Sequence, residues 1–428
     1  MRQDRYGNPL STTSDAARDA YVRGVDLYIG GDAGIEAALE QAVATDDGFA
    51  MGHLALARAK QGLGKGAEIA APLARARELA GQVTTQEASA IDAMGLMLEG
   101  QMPLAYPKIR AHVDIYPRDV LLAQTCTSVF GLIGFSGQMG REAEQLAYTT
   151  ALAPHYGDDW WFLCMHAFAE LEVGQLDRAR SHIDRSLELH PTAAHGVHVK
   201  AHLLYECGST AEGVDMLATY QPQMDRTAQL HCHLSWHLGL WALETGDLDT
   251  MWRMLDDNIA PGQSQSPPLN ILTDSAALLA RAELRGVAVP DHYWRQISAF
   301  AAERFPNPGL AFADVHAALA HAMAGESAPL DRIVADAKGP AAPVVRALAE
   351  GFGAFARQDW AEAVRAFSGV MAQHERIGGS RAQRDLIEMA LAAALLRQGQ
   401  GAEARRLLWM RRPATTDAHS VAGLPELA

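Results

Sequence analysis

The sequence predicts an all-α fold: one α-solenoid, a superhelix of roughly ten helix pairs stacked in chain order. Three observations predict it. Helical segments with apolar residues at i, i+3, i+4 and i+7 end repeatedly at a Gly, and a second helical segment starts a few residues later. One short frame returns along the chain at intervals of 34 to 41 residues. No alternating Val/Ile/Thr run marks a sheet.

The frame is clearest at Gly174-Gln-Leu-Asp-Arg-Ala179, followed by Ile183 and Pro191. It returns at Gly100-Gln-Met-Pro-Leu-Ala105 with Ile109 and Pro117, and at Gly246-Asp-Leu-Asp-Thr-Met251 with Leu255. Further copies are Gln358-Asp-Trp-Ala-Glu-Ala363 with Phe367 and Gly399-Gln-Gly-Ala-Glu-Ala404 with Leu408, and weaker ones sit at Gly31, Gly208, Gly286 and Gly325. Gly100 and Gly174 are 74 residues apart, so one more copy is expected near Gly137. A Gly at the turn reverses the chain, a small residue lets the second helix cross the first closely, and a Pro closes the unit. Turn, small crossing residue and period together make the tetratricopeptide pattern of two antiparallel helices per repeat.

Helix starts agree with the frame. Thr84-Thr-Gln-Glu87, Ser209-Thr-Ala-Glu212 and Ser380-Arg-Ala-Gln383 read as capping boxes, the last after the helix-breaking pair Gly378-Gly379. Residues 1–13 are expected to form an N-terminal arm, 14–412 the solenoid and 413–428 a C-terminal tail; Pro9–Ser14 is expected to be ordered. The stretches APGQSQSPPL from Ala260 and RFPNPG from Arg304 read as long loops between helices.

Composition narrows the function. The 428 residues are 49% hydrophobic and 20% charged, which suits a folded protein. A formal net charge of −15 argues against a nucleic-acid partner, whose phosphates need a basic footprint. The basic residues Arg405, Arg406, Arg411 and Arg412 read as charges complementing a late helix C-terminus. No run of 18 apolar residues suggests a membrane span, no apolar leader is visible, and Cys126, Cys164, Cys207 and Cys232 lack CxxC spacing, so a cytoplasmic protein with reduced thiols is expected. Gly134-Phe-Ser-Gly137 and Gly62-Leu-Gly-Lys-Gly66 lack the residues and the preceding strand that a nucleophile elbow or a phosphate loop requires. The paired carboxylates Asp46-Asp47, Asp158-Asp159 and Asp256-Asp257 read as helix-end caps.

Five blocks spread over the chain resemble the tetratricopeptide repeat protein 38 family: Pro9-Leu-Ser-Thr-Thr-Ser14, Phe49-Ala-Met-Gly-His53, Val197-His-Val-Lys-Ala-His202, Cys232-His-Leu-Ser-Trp-His237 and Gly378-Gly-Ser-Arg-Ala-Gln-Arg-Asp385. The resemblance implies the repeat fold and brings no activity, cofactor or catalytic residue with it. The chain departs from that pattern after His202, where Leu203, Leu204 and Tyr205 precede Glu206.

Candidate functional residues lie in HGVHVKAH (His195–His202) and HCHLSWH (His231–His237), which hold six of the 17 histidines. With Gly208 and Gly246 as turn residues, His195, His198 and His202 fall on one first helix, and His233, Trp236 and His237 on the next. The tetratricopeptide resemblance implies that this face lines a concave groove. Asp274, Asp314 and His316 from later repeats could join it if the superhelix curls round, and Glu206, His53, Arg384 and Asp385 complete the candidate set. Arg384 and Asp385 read more simply as a surface ion pair.

Several functions fit these residues. Imidazoles beside an indole can bind a small ligand or a peptide or protein segment in the groove. The i, i+4 pairs His198/His202 and His233/His237 can present nitrogens to a divalent transition metal, with an enzyme acting on a small molecule as the consequence, although HExxH is absent. A self-associating scaffold, or half-buried histidines that only hydrogen-bond to neighbours, would also account for the pattern.

Overall fold

The computed structural model describes residues 2–411 and 421–423. Helices α1 (Asp15–Gly30) and α2 (Ile35–Thr45) form the first pair, followed by α3 (Ala50–Gly62) with α4 (Ala70–Leu79) and α5 (Thr85–Leu98) with α6 (Met102–Ile115). The fourth pair is degenerate: α7 (Val120–Ala123) is a single turn, and irregular chain leads to α8 (Arg141–Tyr156). Pairing then resumes with α9 (Trp160–Glu172) and α10 (Leu176–Leu189), α11 (Ala194–Glu206) and α12 (Thr210–Tyr220), and α13 (His231–Thr245) and α14 (Leu248–Met254). The last four pairs are α15 (Pro268–Leu284) with α16 (Asp291–Arg304), α17 (Ala311–Ala324) with α18 (Ser327–Asp336), α19 (Ala342–Ala356) with α20 (Trp360–Val370), and α21 (Arg381–Arg397) with α22 (Gly401–Arg411). The architecture is an all-α repeat superhelix.

The recurring frame explains each pair. Its turn position is left-handed at Gly31, Gly100, Gly137, Gly174, Gly208, Gly246, Gly286, Gly325 and Gly399, the conformation that ends one helix and aims the next back along it. Gln358 adopts the same conformation with φ of 60°, alone among the described non-glycine residues. Five residues past the turn lie Ala105, Ala179, Gly213, Met251, Ala363 and Ala404, and one helical turn later Ile109, Ile183, Leu217, Leu255, Phe367 and Leu408; all are buried. This i, i+4 pair is the inner stripe of each second helix. Five of the six residues at the first position are Ala or Gly, Met251 being the exception, and small size is decisive at Gly213, where a Cβ would come within 2.3 Å of the Trp241 ring.

First and second helices differ in what covers them. In α10 and α20 the apolar stripe is buried and the opposite face meets water. By contrast α9, α13, α15 and α21 are buried on nearly all sides. The covering comes from the chain itself: α15 packs on α21, and α1 touches α11. The segment entering α21 reaches the middle of the array, where Arg141 donates to the carbonyls of Glu375 (2.6 Å) and Gly379 (2.6 Å). The expected open groove is therefore filled by the last repeat.

Two other expectations meet different geometry. The capping boxes at Thr84 and Ser380 form, but Ser209 makes no side-chain cap. Its ψ of 54° lies outside the extended region, because its amide closes the preceding helix on the Leu204 carbonyl at 2.8 Å. Asp256 and Asp257 lie in a π turn over Leu255–Ile259 instead of capping a helix, and Asp256 accepts from Tyr293 Oη at 2.7 Å. Gly134 belongs to the irregular segment before α8, where a Cβ would lie 2.0 Å from the Val129 carbonyl oxygen.

The arm carries a small antiparallel ribbon, Arg2–Gln3 against Pro9–Leu10. Beyond it Thr12 Oγ1 donates to Asp46 at 2.6 Å, Ser11 bonds the Glu87 carboxylate through its amide at 2.8 Å, and Ser14 caps α1. The tail from 413, apart from 421–423, and the basic residue Arg412 fall outside the described residues. Arg411 pairs with Glu388 at 3.0 Å, so its charge is spent between helices and not on its own helix end.

Two measurable consequences follow from this fold. A left-handed non-glycine costs about 1–2 kcal/mol, of which Gly returns part as unfolded-state entropy. Gln358→Gly should therefore stabilise the protein by about 0.5–1 kcal/mol in urea unfolding, and a loss of stability would show that the Gln358 side chain contributes more than its backbone costs. The second consequence concerns acid. Burial holds His195, His316 and His321 at a pKa of about 4. Unfolded, each returns to about 6.5, so the unfolded chain binds more protons in this window, and stability complete above pH 6.5 is lost as pH falls toward 4. Together they should remove about 4 kcal/mol per pH unit there; equal urea midpoints at about pH 7 and about pH 5.5 would contradict neutral burial of these rings.

Candidate metal centre

Helices α11 and α13 are the first helices of successive repeats, so their equivalent faces meet side by side. Spacing of i, i+4 places His198 above His202 and His233 above His237. The rings converge: centroids are 4.5 Å apart for His198–His202 and His202–His237, and 4.9 Å for His198–His233 and His233–His237. One ring nitrogen from each of the four lies within 4.8 Å of all the others. The residues are only 6, 1, 2 and 0% exposed in the order His198, His202, His233, His237.

Protons alone do not satisfy this arrangement. His202 Nε2 lies 2.8 Å from His198 Nε2 and 3.3 Å from His237 Nε2. A ring nitrogen carries one proton or one in-plane lone pair, so His202 Nε2 can make a good hydrogen bond to one of these neighbours, leaving the other contact repulsive. On the far side, His233 Nδ1 lies 2.9 and 3.0 Å from the two Asp274 oxygens. An ionised carboxylate only accepts, so Nδ1 holds the His233 proton and Nε2 keeps its lone pair. Burial first, and neighbouring imidazoles second, push His198 and His202 well below the ordinary histidine pKa; His237 shifts the same way for the same reasons. His198, His202 and His237 are therefore neutral near pH 7, the form that ligates metal.

The surroundings fix these rings in place. Trp236 stacks on His233 at 5.0 Å, and Arg281 lies over the indole at 5.3 Å. Phe168 of α9 closes the other side against His198 and His202. Cys232 Sγ lies 3.6 Å from Asp274, sharing its carboxylate with His233. The result is a closed shell of four imidazoles with one supporting carboxylate. Four nitrogens around a tetrahedral zinc ion would stand about 3.3 Å apart; His202 Nε2 lies 3.3 Å from His237 Nε2 and 2.8 Å from His198 Nε2, and the four-nitrogen set spans no more than 4.8 Å.

The remaining candidates divide. Asp274 joins the site as the partner of His233. His195 is on the same helix but packs toward Gly31 of the first repeat, where a Cβ would lie 3.0 Å from its ring. Glu206, one turn beyond His202, faces Arg381 at 3.3 Å. His53 bonds the Asp47 carbonyl at 3.0 Å, and Asp314 accepts from the Gly309 amide at 3.0 Å. His316 turns its Nδ1 to the Phe312 carbonyl at 2.8 Å. None of these five belongs to the four-nitrogen set.

Arg384 and Asp385 correct the surface ion-pair expectation: both are buried, and each pairs elsewhere. Arg384 donates to Glu142 and to Glu172 at 3.4 Å. Asp385 accepts from Arg281 and from Tyr205 Oη. Sequence reading misses Arg281 and Glu172, which sit in largely apolar helical runs, and Arg141, which opens α8 among polar residues; all three meet partners more than 100 residues away. The available signal is a lone charge inside such a run, as in Leu278-Leu-Ala-Arg281. Glu172 takes the amide of Arg381 at 3.0 and 3.1 Å, capping α21 from another repeat, and burial raises its pKa to about 7.

No family model matches the chain. Solved structures with related helical repeats include a chain of Naa15/Naa10 bound to HypK-THB, 11% identical over 92% of this chain and 68% of that one, with a TM-score of 0.25. The tetratricopeptide domain of P58(IPK) is 13% identical over 90% of this chain and 98% of that one, with a TM-score of 0.21. Superpositions this loose carry no argument about chemistry or partners.

Proposed function

We propose that this is a metal-binding helical-repeat protein in which His198, His202, His233 and His237 hold one divalent transition metal ion. The observation that carries the reading is the contact of three Nε2 atoms around His202, which protons cannot satisfy together and a cation can. Imidazole ligands suit zinc, copper, nickel or iron, and the i, i+4 pairs bring two nitrogens from each helix. Asp274 would orient His233 and raise its basicity.

A closed, four-ligand, buried site is the pattern of a structural ion. Bound here, the metal fastens α11 to α13 beside the place where α21 closes the array. The reading of an open groove that holds a peptide or small ligand loses its support, since α21 occupies that space. The resemblance to the tetratricopeptide repeat protein 38 family supports the repeat arrangement and is silent on the ion.

Elemental analysis of purified protein tests the reading. Wild type should carry a transition metal that the His198→Ala/His237→Ala double variant loses. Metal that binds only the folded state stabilises it by about 4 kcal/mol at a thousandfold excess over Kd, so chelation should lower the wild-type melting temperature and leave the double variant's unchanged. Asp274→Asn should weaken affinity roughly 10–100-fold while keeping the stoichiometry. A double variant that retains the wild-type metal content and chelator response would overturn the assignment.

A further inference from the structure

A second cluster of ligand-type side chains sits apart from the four imidazoles, between α9 and α10. His166 and Glu170 are one turn apart on α9, and His182 faces them from α10. One donor atom from each lies within 4.8 Å of the others. The Glu170 side chain is fully buried, whereas His182 is partly open to solvent.

Proton placement again leaves a deficit. His166 Nδ1 lies 2.9 Å from Thr149 Oγ1, which itself donates to the Leu146 carbonyl at 3.2 Å. Both contacts are hydrogen bonds only if the ring donates from Nδ1, which leaves the Nε2 lone pair 3.5 Å from Glu170 Oε1. Two acceptors thus face each other. Glu170 Oε1 makes no hydrogen bond of proper geometry, although Arg178 Nε stands 2.9 Å away. On the other oxygen, His182 Nδ1 lies 2.7 Å from Oε2. The cation now nearest the deficit belongs to a side chain that is 64% exposed and anchored only at this end.

We infer that His166, Glu170 and His182 form a second divalent-metal site, with Arg178 as the cation that occupies the carboxylate when metal is absent. Two imidazoles and one carboxylate leave coordination positions open toward solvent, unlike the saturated four-imidazole centre. Water or a small anion can take those positions, and the displaced Arg178 guanidinium remains beside them as a partner for the anion. The rings are prepared for this role: Thr149 fixes the His166 tautomer, and Phe162 stacks on its face at 5.5 Å.

Titration of metal-depleted full-length protein with Co(II), followed by its visible absorption, tests this site. Wild type should bind a weaker equivalent that His182→Ala removes; His182 is partly exposed, so the variant should fold, as circular dichroism will verify. Arg178→Ala should tighten that same equivalent about fivefold by removing its rival. The His182-dependent equivalent should persist in His198→Ala/His237→Ala, which separates this inference from the four-imidazole reading. If His182→Ala binds as much cobalt as wild type, or Arg178→Ala leaves the weaker affinity unchanged, the cluster is an ion-pair network and the inference is wrong.

Discussion

The interior of this protein holds full charges, and it can do so only because the last repeat comes back to meet them. Arg141, Arg281 and Arg384 are buried in the middle of the array. Stranded there, each would cost several kcal/mol in lost hydration. Their partners are carbonyls and carboxylates at the start of α21, together with Glu142 and Glu172. Glu172 in turn caps α21 by taking the Arg381 amide. Helix start, ion pairs and closure of the superhelix are therefore one network, and α21 cannot shift without exposing several unpaired groups together.

The same burial shapes the histidine chemistry. An imidazolium at His198, His202 or His237 would be poorly solvated, so these rings stay neutral and keep lone pairs that would otherwise bind protons. Asp274 touches the four-ring cluster through the outer nitrogen of His233. Between α9 and α10 the balance differs: a carboxylate stands among the imidazoles, and an exposed guanidinium leans in from the rim. One cluster is sealed, the other open at its rim.

Much of the repeat architecture was legible because it is local. A left-handed turn, a small residue five positions later and an apolar residue one turn beyond are set by neighbours in the chain, and these recur with regular spacing. Gln358 was readable as a turn despite lacking glycine because Ala363 and Phe367 follow it in register. Pairing of His198 and His202 with His233 and His237 followed from the same frame. Closure was not legible. It depends on how small rotations between repeats accumulate, which no single repeat encodes, and it brings Arg384 to Glu142 and Arg281 to Asp385. For that reason Arg384 and Asp385 read as surface residues in sequence and prove to be interior ones. Ser209 failed as a cap for a local reason, because its amide was already committed to the Leu204 carbonyl.

Closure also changes the order of events during synthesis. In an open solenoid each repeat docks on its predecessor and is finished as it leaves the ribosome. Here Arg141 must wait for Glu375, 234 residues later, before its guanidinium is satisfied. Until then the inner face of α8, α9, α11, α13 and α15 is unsealed, with apolar surface and unpaired charge both facing water. Sealing is a late, long-range step with a high loop-closure cost, and the half-made chain is the species that depends on chaperones. A premature stop anywhere before α21 would remove more than its own repeat: it would leave Arg141, Glu172, Tyr205 and Arg281, in four earlier repeats, without the partners that α21 and the chain entering it supply.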